Sequence, residues 1–118
     1  MAGCPARVLV VDDEPTVAEL FSAYLADEYE VLTAHSGETA LDLLDDSVAV
    51  VTLDRRMPGL SGAAVARRIL DRGLSCHIVF VSAEEPTTGC LPDYDEYLEK
   101  PVSRDDLRRT VCRVIQAG

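Results

Sequence analysis

The chain has 118 residues, 47% of them hydrophobic, and its 21 acidic and 11 basic residues give a net charge of -10. That length and apolar content predict one domain over residues 1–118, with a core that needs neither disulfides nor a structural metal. The negative charge repels nucleic acid phosphates, which argues against direct nucleic acid binding by this domain.

Signals for membrane insertion or secretion do not stand out in the sequence. No apolar run approaches the ~20 residues that a membrane helix needs, and residues 1–7 lack the apolar core of a signal peptide. We therefore expect a cytoplasmic protein without membrane contact. Ten of the eleven cations are arginine and one is lysine. An acidic, lysine-poor surface suits a salt-rich cytoplasm, and a GC-rich genome is the alternative explanation.

The four cysteines form no C-x-x-C pair and have no histidine at metal-ligand spacing. We therefore predict reduced thiols rather than a zinc or disulfide framework. Cys76 and Cys112 lie in apolar segments and are predicted to be small core residues, whereas Cys90 is predicted to be exposed. His35 and His77 have no partner at catalytic spacing, which favours structural roles for both.

Five short apolar runs, rich in β-branched residues, predict strands. The third run is almost continuously apolar and ends in Asp54, which is typical of a parallel strand covered on both faces. Pro58 and Gly59 follow closely, so Asp54 is expected at the carboxyl edge of the sheet. The strands are predicted at residues 8–11, 29–34, 48–54, 76–81 and 94–99.

Four helices are predicted from apolar positions at helical spacing. Pro15 suits the first turn of the first helix, Gly73 closes the third, and Ser103 with Asp106 resembles a capping box at the start of the last. The inward stripes are predicted to be Val17, Leu20, Phe21, Tyr24 and Leu25; Ala40, Leu41, Leu43 and Leu44; Val65, Ile69 and Leu70; and Leu107, Val111, Val114 and Ile115.

Alternating strands and helices predict an α/β fold, a doubly wound five-stranded parallel sheet with right-handed crossovers and helices on both faces. The irregular segment 84–93 interrupts the alternation. Its residues Pro86, Gly89 and Pro92 leave room for no more than about one helical turn. The fourth helix expected from the alternation is therefore predicted to be shortened or absent.

Polar residues follow the predicted strands at one edge of the sheet. Asp12 and Asp13 follow the first strand, Asp54 ends the third, Ser82 follows the fourth, and Lys100 follows the fifth. Because the carboxyl ends of parallel strands converge, these groups are expected to share one pocket. The Asp12/Asp13 pair and Ser82 also have simpler interpretations, since acidic residues favour helix N-termini and a strand-end hydroxyl often caps backbone.

Carboxylates that crowd together repel one another unless a cation shields them. A hard, oxygen-seeking ion such as Mg²⁺, or Mn²⁺, would serve, with Asp12 and Asp13 as ligands and the Arg56 backbone carbonyl as a further one. Asp54 could then attack phosphorus and become an aspartyl phosphate, with Lys100 as a mobile charge for the phosphoryl oxygens.

At these residues the sequence resembles the receiver domain of two-component response regulators, over essentially the whole chain. The resemblance rests on VLVVDDEP, LDRRMPGLSG, FVSA and YLEKP, in that order. It implies the flavodoxin-like strand order 2-1-3-4-5. It also implies a phosphorelay signalling protein, not an enzyme acting on other substrates, that receives its phosphoryl group from the phosphohistidine of a sensor histidine kinase and acts on an output partner of unknown identity.

The resemblance also implies a role for each matching residue. The implied roles are phosphoacceptor for Asp54, metal binding for Asp12, Asp13, Asp54 and the Arg56 carbonyl, phosphoryl contacts for Ser82 and Lys100, a conformational switch for Ser82 with Tyr97, and a cis peptide before Pro101.

The sequence departs from the family in one segment. Only seventeen residues separate Ser82 from Lys100, several fewer than in most members of the family, so the usual output surface is expected to differ.

Two further hypotheses concern the same pocket. Arg56 and Glu84 flank it, and their side chains are predicted to pair across its mouth as a gate that limits attack by water on the phosphoryl group. For Tyr97, the alternative to a switch is a purely structural packing role.

Two other classes of function are alternatives to a phosphoacceptor switch. One is a non-catalytic interaction module of receiver fold. The other is a phosphatase that works through an aspartyl phosphate, which would require a second carboxylate at the position that Arg56 occupies.

Overall fold

The computed structural model describes residues 6–84 and 91–117. Strands and helices alternate along these residues until the fourth strand, which is followed by the fifth. The elements are β1 (Arg7–Val11), α1 (Pro15–Leu25), β2 (Glu30–Ala34), α2 (Gly37–Leu43), β3 (Val48–Leu53), α3 (Gly62–Arg72), β4 (His77–Ser82), β5 (Glu96–Glu99) and α4 (Arg104–Ala117).

The five strands form one parallel sheet in the order β2-β1-β3-β4-β5. This confirms the predicted doubly wound fold and its strand order. The sheet carries an apolar layer on each face. Helices α2 and α3 pack on one face and α1 and α4 on the other. The inner strands β1, β3 and β4 are buried over almost their whole length, as continuous apolar runs require.

Serine caps begin three of the helices, and a glycine ends one. The hydroxyls of Ser36 and Ser61 accept the backbone N–H groups of Thr39 and Ala64, and the Ser103 hydroxyl accepts that of Asp106 at 3.1 Å. Helix α3 ends at Gly73, whose φ of 69° is left-handed, as a glycine C-cap allows. These local signals place the helix ends close to their predicted positions.

Two leucines predicted to face the core do not. Leu20 in α1 is 47% exposed and Leu70 in α3 is 45% exposed. Alanines take the corresponding buried positions beside the larger core residues, since Ala18 in α1 and Ala66 in α3 are fully buried.

The connection from β4 to β5 has no helix in its described parts, residues 83–84 and 91–95. The prediction of a shortened or absent fourth helix is confirmed there, while Pro86, Gly89 and Cys90 lie outside the described residues. Tyr94 covers β4 edge-on, with its ring centroid 5.4 Å from that of Phe80. Aromatic contacts thus cover part of β4 just ahead of β5.

Cys76 is buried, as predicted, and Cys112 is only partly so, and both are free thiols. Among the residues that the structure describes, no helix has both the length and the apolar character to cross a membrane. His77 lies 3.3 Å from Asp95, whose carboxylate also accepts the Ile78 backbone N–H.

Candidate functional site

Three carboxylates meet at the carboxyl edge of the sheet. Asp12 directly follows β1 and Asp54 directly follows β3, and these are neighbouring strands. Asp12, Asp13 and Asp54 each present an oxygen within 4.8 Å of the others. Asp12 and Asp54 are buried, whereas Asp13 is half-buried. Parallel strand ends therefore concentrate three negative charges in a space that water reaches only in part.

Lys100 brings the only described lysine charge to this cluster. Its Nζ donates to Asp12 Oδ2 at 2.8 Å and lies 3.5 Å from Asp54 Oδ2. The Lys100 backbone N–H donates to the Ser82 carbonyl at 2.8 Å, and the Lys100–Pro101 peptide is cis. The end of β5 is thereby tied to the end of β4, which directs the lysine across the edge of the sheet to β1 and β3.

The electrostatics of the cluster oppose ionisation of Asp54. Burial raises the pKa of Asp54, and the charges of Asp12 and Asp13 raise it further, while Lys100 and the Arg56 backbone N–H lower it. The net direction is upward. The cluster therefore stabilises Asp54 as an anion less than water does.

The loop after β3 holds Asp54 by close backbone contacts. The Gly62 N–H donates to the Arg55 carbonyl at 3.0 Å. A Cβ at position 62 would lie 2.1 Å from the Asp54 carbonyl oxygen, so only glycine fits there. Gly59 turns the loop with a φ of 75°. The segment from Asp54 to Gly62 is thus a compact loop that places the Arg56 backbone N–H beside the Asp54 carboxylate.

Ser82 is buried at the end of β4. Its hydroxyl accepts the Glu84 backbone N–H at 3.2 Å, which leaves the hydroxyl proton free to donate elsewhere. The same residue offers its carbonyl to Lys100, as described above. Ser82 is therefore placed by two local hydrogen bonds, one from each of the segments that follow β4 and β5.

A network of side chains borders the loops after β3 and β4. Arg56 Nε donates to Glu84 Oε2 at 2.6 Å. Arg55 lies 3.8 Å from Glu84 Oε1 and donates to the Tyr97 hydroxyl at 3.2 Å, and that hydroxyl donates to the Glu84 carbonyl at 2.8 Å. The Arg56–Glu84 pair lies on the wall of a cleft of about 530 Å³ that Met57 also lines.

Sequence reasoning paired Arg56 with Glu84 but assigned no contact to Arg55. The available signal was a second arginine directly after a buried strand end, where a side chain has to turn either into the fold or into solvent. The direction of that turn depends on β5, which no local pattern relates to residue 55. Asp95, which hydrogen-bonds the start of β4, also went unnoticed for want of a local signal.

The donor set fits a small divalent cation. Three carboxylates, two of them buried, provide hard oxygen ligands, and their mutual repulsion favours a cation. Lys100 already partly neutralises Asp12 and Asp54, so a metal would share those oxygens with an ammonium group. The half-buried Asp13 leaves one side of the cluster open to water, as Mg²⁺ prefers.

Comparison with known proteins gives consistent matches. The family described as "Response regulator receiver domain" matches residues 8–112. A candidate transcriptional regulator of Haloferax volcanii is 45% identical over 88% of this chain, and the uncharacterized transcriptional regulatory protein YrkP of Bacillus subtilis is 36% identical over 89%. This chain spans only 18% of the Haloferax protein and 47% of the Bacillus protein.

Solved structures match as well. The response regulator protein TrrA from Thermotoga maritima, in complex with Mg²⁺ and BeF, is 36% identical, with a TM-score of 0.81 over 92% of this chain and 97% of that one. A response regulator receiver domain protein from Methanospirillum hungatei is 30% identical, with a TM-score of 0.79 over 95% of this chain and 98% of that one.

Proposed function

Since the chain belongs to the response regulator receiver domain family of two-component signalling, we propose that it is a phosphoacceptor switch in which Asp54 receives the phosphoryl group. The observation that carries this proposal is the position of Lys100, whose ammonium group reaches Asp12 and Asp54 at once. An ammonium group between two acidic oxygens is suited to follow a phosphoryl group that forms on one of them.

In the proposed reaction, an Asp54 carboxylate oxygen attacks the phosphorus of a phosphohistidine. An oxygen–phosphorus bond forms, the phosphorus–nitrogen bond breaks, and the imidazole leaves with a proton from solvent. Phosphoryl transfer of this kind depends on position and charge neutralisation more than on covalent help. Hydrolysis of the aspartyl phosphate later restores the carboxylate. The chain would thus catalyse only its own phosphorylation and dephosphorylation.

Lys100 and Ser82 would hold the new phosphoryl group. Lys100 Nζ, at 3.5 Å from Asp54 Oδ2, needs only a small displacement from Asp12 to contact a phosphoryl oxygen. The Ser82 hydroxyl still has its proton to donate, because it accepts from the Glu84 N–H. Both groups stand at strand ends, so the rigid sheet fixes their positions.

Asp12, Asp13, Asp54 and the Arg56 carbonyl would hold Mg²⁺ or Mn²⁺. Bound there, the ion supplies positive charge that permits Asp54 to ionise and neutralises the incoming phosphoryl oxygens. The chain's own residues prepare for this by crowding three carboxylates whose repulsion the ion relieves.

The added charge would be read by Ser82, Tyr97 and the segment between them. The described part of that segment has no helix, so we expect a loop rearrangement on phosphorylation rather than a helix shift. Amide exchange over residues 83–97 should therefore change when the protein is phosphorylated. Unchanged exchange there would contradict this part of the proposal.

Arg56 and Glu84 would act as the gate predicted from the sequence. Their hydrogen bond crosses from the loop after β3, two residues beyond Asp54 in the chain, to the loop after β4. The pair should slow the approach of water to the phosphoryl group. Once the phosphodonor is removed, an Arg56→Ala variant should lose its phosphoryl group faster than the wild type. An unchanged rate would remove the gate from the mechanism.

The partners of the chain are also proposals. The two curated relatives described above are named as a transcriptional regulator and a transcriptional regulatory protein, and this chain spans less than half the length of each. We propose a sensor histidine kinase as donor and a protein surface as output target, with no direct nucleic acid contact by this domain. The cytoplasmic location remains a prediction.

The direct test is phosphorylation by a small donor. The chain is incubated with acetyl phosphate and either MgCl₂ or EDTA, and its intact mass is recorded. We expect wild type to gain one phosphoryl group only with the metal, Asp54→Asn to gain none, and an Asp46→Asn control on the exposed loop before β3 to behave like wild type. A wild type that remains unmodified in Mg²⁺ would refute the proposal and favour a non-catalytic interaction module.

The same samples distinguish the phosphatase alternative. Sustained turnover of p-nitrophenyl phosphate in Mg²⁺, lost in Asp54→Asn, would indicate a phosphatase. We expect no such turnover, because position 56 carries an arginine whose side chain is bound to Glu84 rather than a second carboxylate.

A further inference from the structure

The side chain of Arg55 turns away from the carboxylate cluster. Arg55 follows Asp54 by one peptide bond, yet its guanidinium group contacts β5 and the loop after β4. The side chain is only 12% exposed. A largely buried guanidinium needs hydrogen-bond partners to offset its lost hydration, and two of those partners are the Tyr97 hydroxyl and the Glu84 carboxylate.

The Tyr97 hydroxyl makes two hydrogen bonds, one in each direction. It accepts from Arg55 at 3.2 Å and donates to the Glu84 carbonyl at 2.8 Å. Its ring packs against Phe80, with centroids 6.0 Å apart, and meets Tyr94 edge-on at 5.9 Å. Rotation of Tyr97 away from this position would break both bonds and leave a half-buried carbonyl and a largely buried cation with fewer partners.

The two arginines contact Glu84 in different ways. Arg56 is 77% exposed and binds Oε2, and its hydrogen bond is the main reason that the pKa of Glu84 is lowered. Arg55 lies on the Oε1 side, affects that pKa less, and also reaches Tyr97. Arg56 therefore holds the Glu84 carboxylate, whereas Arg55 joins Glu84 to β5.

We propose that Arg55 is a positioning residue that makes Tyr97 and the Glu84 loop move as one unit. The peptide bond to Asp54 joins that unit to the phosphoacceptor, so a change at Asp54 reaches β5 through Arg55 as well as through Ser82. The signalling meaning of this link rests on the proposed function. The contact itself is testable in the unphosphorylated protein.

The experiment is NMR of the unphosphorylated protein with ¹³C-labelled tyrosine rings, in which a Tyr97→Phe spectrum assigns Tyr97. The chemical shift of the Tyr97 ring carbon that bears the hydroxyl depends on the hydrogen bonds of that hydroxyl, which accepts from Arg55 and donates to the Glu84 carbonyl. In Arg55→Ala we expect the Tyr97 ring signals to shift, because the hydroxyl loses its donor. In Arg56→Ala, which frees the Glu84 carboxylate but not the hydroxyl, they should stay as in the wild type.

A double-mutant cycle tests whether Arg55 and Tyr97 act together. Amide exchange at Glu84 should rise about tenfold in Arg55→Ala and by a similar factor in Tyr97→Phe, as expected for loss of one charge-assisted hydrogen bond. In the double variant the rise should be well below the product of the two single factors, because both substitutions remove the same Arg55–Tyr97 hydrogen bond. Arg55→Lys, which keeps the charge but not the planar set of donors, should fall between wild type and Arg55→Ala.

Several outcomes would overturn the inference. These are unchanged Tyr97 ring signals in Arg55→Ala, an equal effect of Arg56→Ala, or additive exchange in the double variant. If Arg55→Ala fails to fold, Arg55→Lys and Tyr97→Phe still complete a cycle. None of these measurements depends on phosphorylation, so their failure is distinct from an unmodified wild type in acetyl phosphate, which would refute the proposed function.

Discussion

Removal of the Lys100 ammonium group should lower the free energy of unfolding of the protein, because this group pairs with two carboxylates of the candidate site. Its Nζ lies 2.8 Å from Asp12 Oδ2 and 3.5 Å from Asp54 Oδ2. At an effective dielectric constant of about 20 these separations correspond to gross attractions of about 6 and about 5 kcal/mol. Desolvation of the ammonium offsets much of that sum, and loss of one partner from a buried ion pair typically costs about 3–5 kcal/mol. Because Lys100 is 20% exposed, we expect Lys100→Met to lower the unfolding free energy by about 3 kcal/mol at pH 8.

The pH dependence provides a second, independent check on this reasoning. Burial opposes the charge of Lys100, but the hydrogen bond to Asp12 and the charges of Asp54 and Asp12 outweigh it, so the pKa of Lys100 is raised. A raised folded-state pKa of a cation gives stability that is fully present below the ordinary lysine pKa of about 10.4 and is lost above it. In the variant, Asp54 loses the lysine charge that lowers its pKa, so it is protonated at a higher pH and the repulsion within the cluster is relieved. The difference from wild type should therefore narrow as the pH falls from 8 toward 5.

The assay is urea unfolding followed by circular dichroism, in EDTA and at constant salt. Arg109→Met is the matched control, because it removes an exposed cation from an ion pair within α4 and should change the unfolding free energy by less than about 1 kcal/mol. A Lys100→Met variant as stable as wild type at pH 8, or an Arg109→Met variant equally destabilised, would refute the electrostatic account of the site.

Three further predictions follow from single residues. Gly62→Ala should destabilise the protein by about 3 kcal/mol or more in urea unfolding, because its Cβ would meet the backbone of Asp54, whereas Gly73→Ala, with open space but a left-handed φ, should cost about 1–2 kcal/mol. In metal-free buffer at pH 8, Asp54→Asn should raise the melting temperature, because burial raises the pKa of Asp54 and its ionised form opposes folding; the gain should shrink as the pH falls through that raised pKa. Burial raises the pKa of Cys76 to about 11, so iodoacetamide at pH 8 should alkylate Cys76 in the folded protein more slowly than Cys112, and peptide mapping would show this; equal rates would contradict it.

The arrangement of the strand ends was predictable from sequence because it depends on topology rather than on detail. Asp12 and Asp54 each follow a continuous apolar run, and in a parallel sheet such runs end at the same edge. Once β1 and β3 are neighbours, the two carboxylates have no other place to lie. Lys100 reaches them because its long side chain spans the gap from β5.

The rotation of the helices was less predictable. Leu20 and Leu70 match the helical period, but periodicity alone does not weigh an alanine against a leucine. The depth of the space above the sheet decides that question, and here it favours Ala18 and Ala66. This error concerns packing distance, which sequence patterns do not contain.

Arg55 was beyond sequence reasoning for a different reason. A charged residue after a strand end is usually solvated, and the pattern around residue 55 contains nothing to contradict that expectation. Its side chain hydrogen-bonds Tyr97, which lies 42 positions away in sequence and two strands away in the sheet. Contacts that join distant segments through one side chain cannot be predicted from local sequence patterns and become visible only in the three-dimensional structure.

The position of Lys100 also affects how this protein can be handled in the laboratory. As the sequence contains one lysine, its ε-amine is the only side-chain target for acylating dyes, crosslinkers and resins that react with primary amines. Such reagents would convert a cation that faces two carboxylates into a neutral amide, and so would label the molecule and remove the positive charge of the cluster at the same position. Protection of that amine by a bound phosphoryl mimic would in turn provide a simple chemical footprint of ligand binding.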